Sequence, residues 1–169
     1  MPKIEHKIIS IEKFLPARCE IREDGSKLVF TNGCFDIIHR GHVEYLRKAK
    51  KHGDYLIVGM NSDRSVREIK GKNRPIMSQN DRAIVLAALE MVDYVIIFDE
   101  PTPLELIEAI RPDVLVKGAD WNEDEIVGAD FVKASGGSVA RIELVQGKGT
   151  SEIIDRIIRL YGGKTNGTT

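Results

Sequence analysis

Short runs of unbroken apolar residues alternate along this chain with stretches whose apolar positions recur at helical spacing. The runs Leu28–Thr31, Tyr55–Met60, Tyr94–Phe98, Val114–Lys117 and Ser138–Leu144 predict strands. They are mostly continuous Val, Ile and Leu, as expected of parallel strands covered on both sheet faces. Between them, Gly41–Lys51, Gln79–Leu89, Pro103–Ile110 and Asp130–Ser135 predict helices, and a last helix runs from Thr150 to Leu160. Ser78 before Gln79-Asn80-Asp81 reads as an N-cap with an acidic first turn. Gly162-Gly163 reads as the stop of the last helix. The alternation predicts an α/β fold with five parallel strands and helices on both faces.

The pattern also divides the chain. Residues 1–26 stand apart as an N-terminal arm, in which Ile8–Leu15 predicts a short helix on the domain edge and Glu23–Ser26 a turn. Residues 27–161 form the main domain, and 162–169 a flexible tail. A length of 169 residues suffices for one buried core. A net charge of −1 argues against a general nucleic-acid binder, which needs excess cations to displace counterions. No apolar run approaches the roughly 18 residues of a membrane span, and the first residues carry no secretory core. Two cysteines, Cys19 and Cys34, are too few for a disulfide scaffold and lack zinc-ligand spacing. A reducing cytoplasm is the expected location, with no membrane partner.

The chemistry concentrates after the first strand, in Thr31-Asn32-Gly33-Cys34-Phe35-Asp36-Ile37-Ile38-His39-Arg40-Gly41-His42. His39 and His42 lie three residues apart at a predicted helix start, so both rings fall on one face. A helix N-terminus presents unpaired N–H groups and the positive end of the helix dipole, which attract phosphate. Gly33 lets the backbone approach a ligand closely, and Gly41 clears space between the rings. Two added donors make this a site for a polyphosphate about to be cleaved.

Thr31–His42 resembles the strand–loop–HxGH element of the nucleotidyltransferase superfamily, which implies a Rossmann-like nucleotidyltransferase (HxGH) fold. The resemblance extends to Asn61-Ser62-Asp63, Lys70–Pro75, Asp81-Arg82, Val92-Asp93, Pro112–Gly118 and Ile126–Ala129. Together these are similar to one branch, D-glycero-β-D-manno-heptose 1-phosphate adenylyltransferases, found alone or as the C-terminal half of a bifunctional heptose kinase.

The resemblance implies a set of roles. His39, His42, Lys72 and Arg82 would be catalytic, and one or more of Lys72, Arg74 and Arg82 would meet phosphate. Thr31, Asn32, Gly33, Cys34, Phe35, Asp36, Gly41, Lys117, Gly118, Thr150 and Ser151 would line the nucleotide. Asn61, Asp63, Lys70, Arg74, Asp120 and Trp121 would line the second substrate. Trp121 could equally be an ordinary half-buried tryptophan, and Asp63 a helix cap. Many relatives carry Ser-Thr-Thr before the last helix, whereas this chain has Gly149-Thr150-Ser151, one hydroxyl fewer. The implied reaction moves AMP from ATP, accompanied by Mg²⁺, onto a heptose 1-phosphate to give ADP-heptose for lipopolysaccharide or another surface glycan. No residues read as a dedicated metal cage. A homodimer and a separate heptose kinase are further expectations, with Ala83–Leu89 either serving the dimer or filling the core. The alternatives are a cytidylyltransferase acting on glycerol 3-phosphate or a related phosphate, and a nucleotide-binding protein without catalysis. The former often carries Arg-Thr-Glu-Gly where this chain has Leu144-Val145-Gln146-Gly147.

Overall fold

The computed structural model describes residues 4–143, 147 and 149–162. Five strands form one parallel sheet: β1 (Leu28–Gly33), β2 (Tyr55–Asn61), β3 (Tyr94–Phe98), β4 (Val114–Gly118) and β5 (Ser138–Ile142). Seven helices accompany them: α1 (Ile11–Glu23), α2 (Arg40–Lys50), α3 (Asp63–Lys70), α4 (Gln79–Ala87), α5 (Leu104–Ile110), α6 (Ala129–Ala134) and α7 (Thr150–Tyr161). Of the expected features, Leu144–Gln146, Lys148, Gly163 and the rest of the tail lie outside the described residues.

The spatial order is β3-β2-β1-β4-β5. The chain steps outward from β1 to β3, then crosses back to place β4 on the other side of β1. Such a reversal leaves a crevice outside the carboxyl ends of the two central strands, where open α/β sheets bind ligands. The β1 segment ends in Thr31-Asn32-Gly33 and β4 in Lys117-Gly118, so the reversal sets the candidate chemistry at one edge.

Alternate residues of each strand feed two cores. Val29, Leu56, Val58, Met60 and Val116 pack with Leu46, Ala49, Ala83, Leu86 and Ala87 on one face. Leu28, Phe30, Ile57, Ile96 and Leu115 pack with Phe14, Ile21, Ile107, Ile110 and Val132 on the other. Of the two roles open to Ala83–Leu89, filling the core accounts for Ala83, Leu86 and Ala87, which are buried. The arm is longer and more deeply engaged than its pattern predicts. Its helix continues to Glu23, Phe14 meets Tyr94 edge-on at 5.0 Å, and Ile9 N–H donates to Val95 O at 3.0 Å. Buried Arg18 fills a core position and donates from Nε to Ile110 O at 3.0 Å, satisfying an orphan carbonyl at the end of α5. Ser62, not Asp63, caps α3, accepting the Ser65 N–H at 3.1 Å.

Candidate active site

The loop from β1 to α2 is held in an uncommon conformation. Phe35 and Ile37 both adopt positive φ, 48° and 52°, where side chains other than glycine are disfavoured. Such strain persists only where surrounding contacts over-determine it. The contacts here come from Asp36, whose buried carboxylate accepts the Ile76 N–H at 2.8 Å, the Met77 N–H at 3.0 Å and Arg74 Nε at 2.8 Å. Its carbonyl oxygen accepts the Thr150 hydroxyl at 2.7 Å. One residue therefore pins the glycine loop, the basic loop and the start of α7 together. Burial pushes the Asp36 carboxyl up, but the two N–H groups and Arg74 outweigh it and hold the group below the usual carboxylate value. At Gly33 an added Cβ would lie 3.1 Å from the Phe35 ring, so the loop closes tightly on a missing side chain.

His39 caps α2. Its Nδ1 accepts the Gly41 N–H at 3.1 Å, which leaves the proton of the neutral ring on Nε2 and makes that nitrogen a donor. The His42 ring stacks on it with centroids 3.9 Å apart and leans on Phe35 at 5.4 Å. His42 Nδ1 is buried without a partner among the described residues. Burial, and then the neighbouring His39, lower His42 to about 4, and burial lowers His39 as well. Both shifts favour the neutral form of the rings.

Asn32, Gly33, Cys34, Phe35, His39, Gly41, His42, Tyr45, Gly149 and Thr150 line a cleft of about 280 Å³. Its floor is braced by Thr31, whose hydroxyl meets the Tyr45 hydroxyl at 2.8 Å, while Tyr45 donates to Val116 O at 3.2 Å. A second cleft of about 280 Å³ lies across Asn32 and Cys34, lined also by Asn61, Ile69, Pro101, Thr102, Pro103, Lys117, Trp121, Glu125 and Val127. Lys117 Nζ donates to Asn32 Oδ1 at 2.6 Å on this second side, and Gly118 is buried behind it. A groove of about 260 Å³ continues past His39 along α7, with Arg156 and Arg159 on its wall.

Several expected residues stand elsewhere. Arg82 is buried in the interior with its guanidinium donating to Met77 O at 3.1 Å, Cys34 O at 2.5 Å, Asn61 O at 2.9 Å and Asp63 Oδ1 at 2.8 Å. Four of its five N–H donors are taken by protein oxygens, so it braces the loop from behind. Asp63 is committed to that pair and lines neither of the two main clefts. Arg74 is committed to Asp36. Lys70 is exposed at the end of α3 and Lys72 on the anchored loop that follows, Asp120 is exposed beyond β4, and Ser151 is exposed in the first turn of α7. Arg156 and Arg159 had no sequence signal, because two cations on an amphipathic helix look like any solvated face. Tyr45 was likewise hidden among the apolar positions of α2.

Among the described residues, no three or more His, Cys, Asp or Glu side chains gather closely enough to hold a metal ion. No described helix is long and apolar enough to cross a membrane. Residues 30–148 match the cytidylyltransferase-like family. The chain belongs to that family. The fold is the nucleotidyltransferase fold, with the HxGH pair at the mouth of its crevice. The chain is 54% identical over 153 residues to "Bifunctional protein HldE" of Campylobacter fetus, covering 90% of this chain and 32% of that protein. It is 55% identical over 138 residues to the protein of the same name from Geobacter metallireducens, covering 82% and 28% respectively. It thus spans about a third of these curated relatives. Among solved structures, the lipopolysaccharide core biosynthesis protein of Thermoplasma volcanium superposes with a TM-score of 0.60 at 30% identity, covering 73% of this chain and all of that one.

Proposed function

We propose that this domain is an enzyme that transfers AMP from ATP to D-glycero-β-D-manno-heptose 1-phosphate, giving ADP-heptose and pyrophosphate. The observation that carries the reading is the pair of clefts meeting at Asn32 and Cys34, one under the stacked histidines and one beside Lys117. The acceptor's phosphate oxygen attacks the α-phosphorus, the bond from that phosphorus to the β-phosphate oxygen breaks, and the electron pair leaves with pyrophosphate. No covalent enzyme intermediate is needed. The protein's contribution is positioning and stabilisation of growing negative charge.

In this reading His39 and His42 donate to the α- and β-phosphates, helped by loop N–H groups and the start of α7 near Thr150 and Ser151. Neutral donors suit an anion that gains charge during the reaction, since its arrival raises their proton affinity and strengthens each bond. Lys70 and Lys72 face solvent above the site and serve the leaving pyrophosphate. Asn61, Asp120 and Trp121 face the acceptor side. Bound with ATP, Mg²⁺ would neutralise phosphate charge, and no described residues gather into a protein cage for it. The protein works in the cytoplasm as a homodimer, and the product feeds lipopolysaccharide or another surface glycan. Likeness to the two HldE proteins and to the lipopolysaccharide core biosynthesis protein supports this assignment.

The test is pyrophosphate release from wild-type protein with heptose 1-phosphate or glycerol 3-phosphate and either ATP or CTP. Release with ATP upholds the proposal. Release only with CTP, or only with glycerol 3-phosphate, assigns the domain to cytidylyl transfer. Tight nucleotide binding with no release for any pair makes it a non-catalytic binder.

A further inference from the structure

Lys117 is a half-buried ammonium at the sheet reversal whose position is not explained by packing. It sits at the end of β4, is lowered to about 8 by burial, and has no carboxylate within ion-pair distance among the described residues. Its Nζ lies 2.6 Å from Asn32 Oδ1 and 5.8 Å from the centroid of the Trp121 ring. Lys117 lines the second cleft and not the first, whereas Asn32 lines both.

We propose that Lys117 receives the acceptor's phosphate, that Asn32 is the positioning residue aiming its Nζ at the boundary between the clefts, and that Trp121 walls the acceptor's carbon skeleton. This rests on the transfer reading above and moves Lys117 from the nucleotide side to the acceptor side. An ammonium has three N–H donors. Asn32 takes one, leaving two for a phosphate oxygen that must reach the α-phosphorus across the Asn32 wall. The Trp121 ring, nearly half exposed at the rim, offers an apolar face of the kind that covers the C–H side of a sugar. Glu125 lines the same cleft and brings a carboxylate able to accept from the acceptor's hydroxyls. The groups facing Lys117 are few. Asp120 on its own segment favours the charged form, Cys34 opposite is a thiol pushed up by burial, and Asn61 from β2 is neutral. Asp120 and, on the same cleft, Glu125 bring carboxylates, but among the described residues neither forms an ion pair with Lys117, which leaves its ammonium open to a direct contact with the incoming phosphate.

The test compares wild type, Lys117→Gln, Lys117→Arg and Asn32→Ala in steady-state kinetics, with direct calorimetric titration of ATP, heptose 1-phosphate and glycerol 3-phosphate. Lys117→Gln should raise the acceptor KM by about tenfold or more while the ATP Kd stays within about twofold. Lys117→Arg should recover part of the loss, and Asn32→Ala should raise the acceptor KM with the lysine still present. In wild type the acceptor KM should climb above about pH 8, and in Lys117→Gln that rise should vanish. An unchanged acceptor affinity, or an ATP Kd weakened tenfold with the acceptor unaffected, overturns the proposal. If wild type transfers nothing but binds a phosphorylated acceptor and Lys117→Gln does not, the transfer reading fails and the lysine's role stands. If wild type binds neither phosphate, the role falls too.

Discussion

The Asp36 carboxylate and the Arg74 guanidinium meet at 2.8 Å, and they tie the strained loop that leads into the histidines to the loop that carries Lys72. Asp36 is fully buried and Arg74 nearly so, which makes this a pair that neither partner can leave cheaply. The same aspartate accepts two backbone N–H groups of the basic loop, and through its carbonyl it holds Thr150 at the start of α7. The glycine loop, the basic loop and the start of α7 are thus assembled by one buried residue.

Removing that charge should loosen the assembly. Asp36→Asn keeps the shape but strands Arg74, and it should cost about 3 kcal/mol of stability in urea unfolding. Because the folded carboxyl lies below its ordinary value, its contribution is present above the unfolded pKa near 4 and is lost as pH falls below that. Wild type should therefore lose stability on acidification in a window that Asp36→Asn does not share. Equal acid sensitivity in both proteins would remove Asp36 from this role.

His42 supplies a different pH dependence. Its folded pKa of about 4 lies below the ordinary 6.5, so the unfolded chain takes up the proton first as pH falls. Stability should decline from about pH 6.5 to about pH 4, by up to about 3 kcal/mol, and the histidine term should then level off. In His42→Gln the slope of unfolding free energy against pH across that interval should be shallower by about one proton. A slope unchanged by the substitution would mean that the ring is not held neutral by burial.

The same histidine should matter for turnover. His42→Ala should lower kcat by about a hundredfold or more, as loss of a donor aimed at a transition-state oxygen does. Circular dichroism and the unfolding midpoint establish whether the variant is folded. Near-normal turnover in a folded variant would separate the ring from the chemistry.

Arg82 should behave as a brace. Arg82→Lys retains the positive charge but cannot fill four hydrogen-bond directions at once. It should lower the unfolding midpoint by an amount worth about 3 kcal/mol, while folded protein keeps an ATP Kd within about twofold of wild type. A variant of normal stability that binds ATP tenfold more weakly would return Arg82 to the phosphate site.

Strands were the most legible feature, because a parallel strand buried on both faces is a short run of Val, Ile and Leu with nothing else to mean. Each of the five starts at its expected residue, and β1, extended by two, runs into Asn32-Gly33. α3 was not legible. Asp-Arg-Ser-Val-Arg-Glu-Ile-Lys buries only Ser65 and Val66, so it has no stripe, and its helix is fixed by the Ser62 cap and surface charge. α1 was cut short because Arg18 interrupts the apolar spacing where the fold wants a charge against the end of α5. The histidine pair was legible because its spacing has few other uses. The division of labour among the cations was not, since Lys70, Lys72, Arg74 and Arg82 look alike in sequence and differ only in what tertiary packing leaves them to pair with.

The chemistry is tested most directly by the mass of what wild-type protein makes from ATP and D-glycero-β-D-manno-heptose 1-phosphate with Mg²⁺. Attack at the α-phosphorus predicts ADP-heptose and one pyrophosphate for each ATP consumed. A heptose bisphosphate with ADP would place the reaction at the γ-phosphorus and contradict the arrangement of the two clefts.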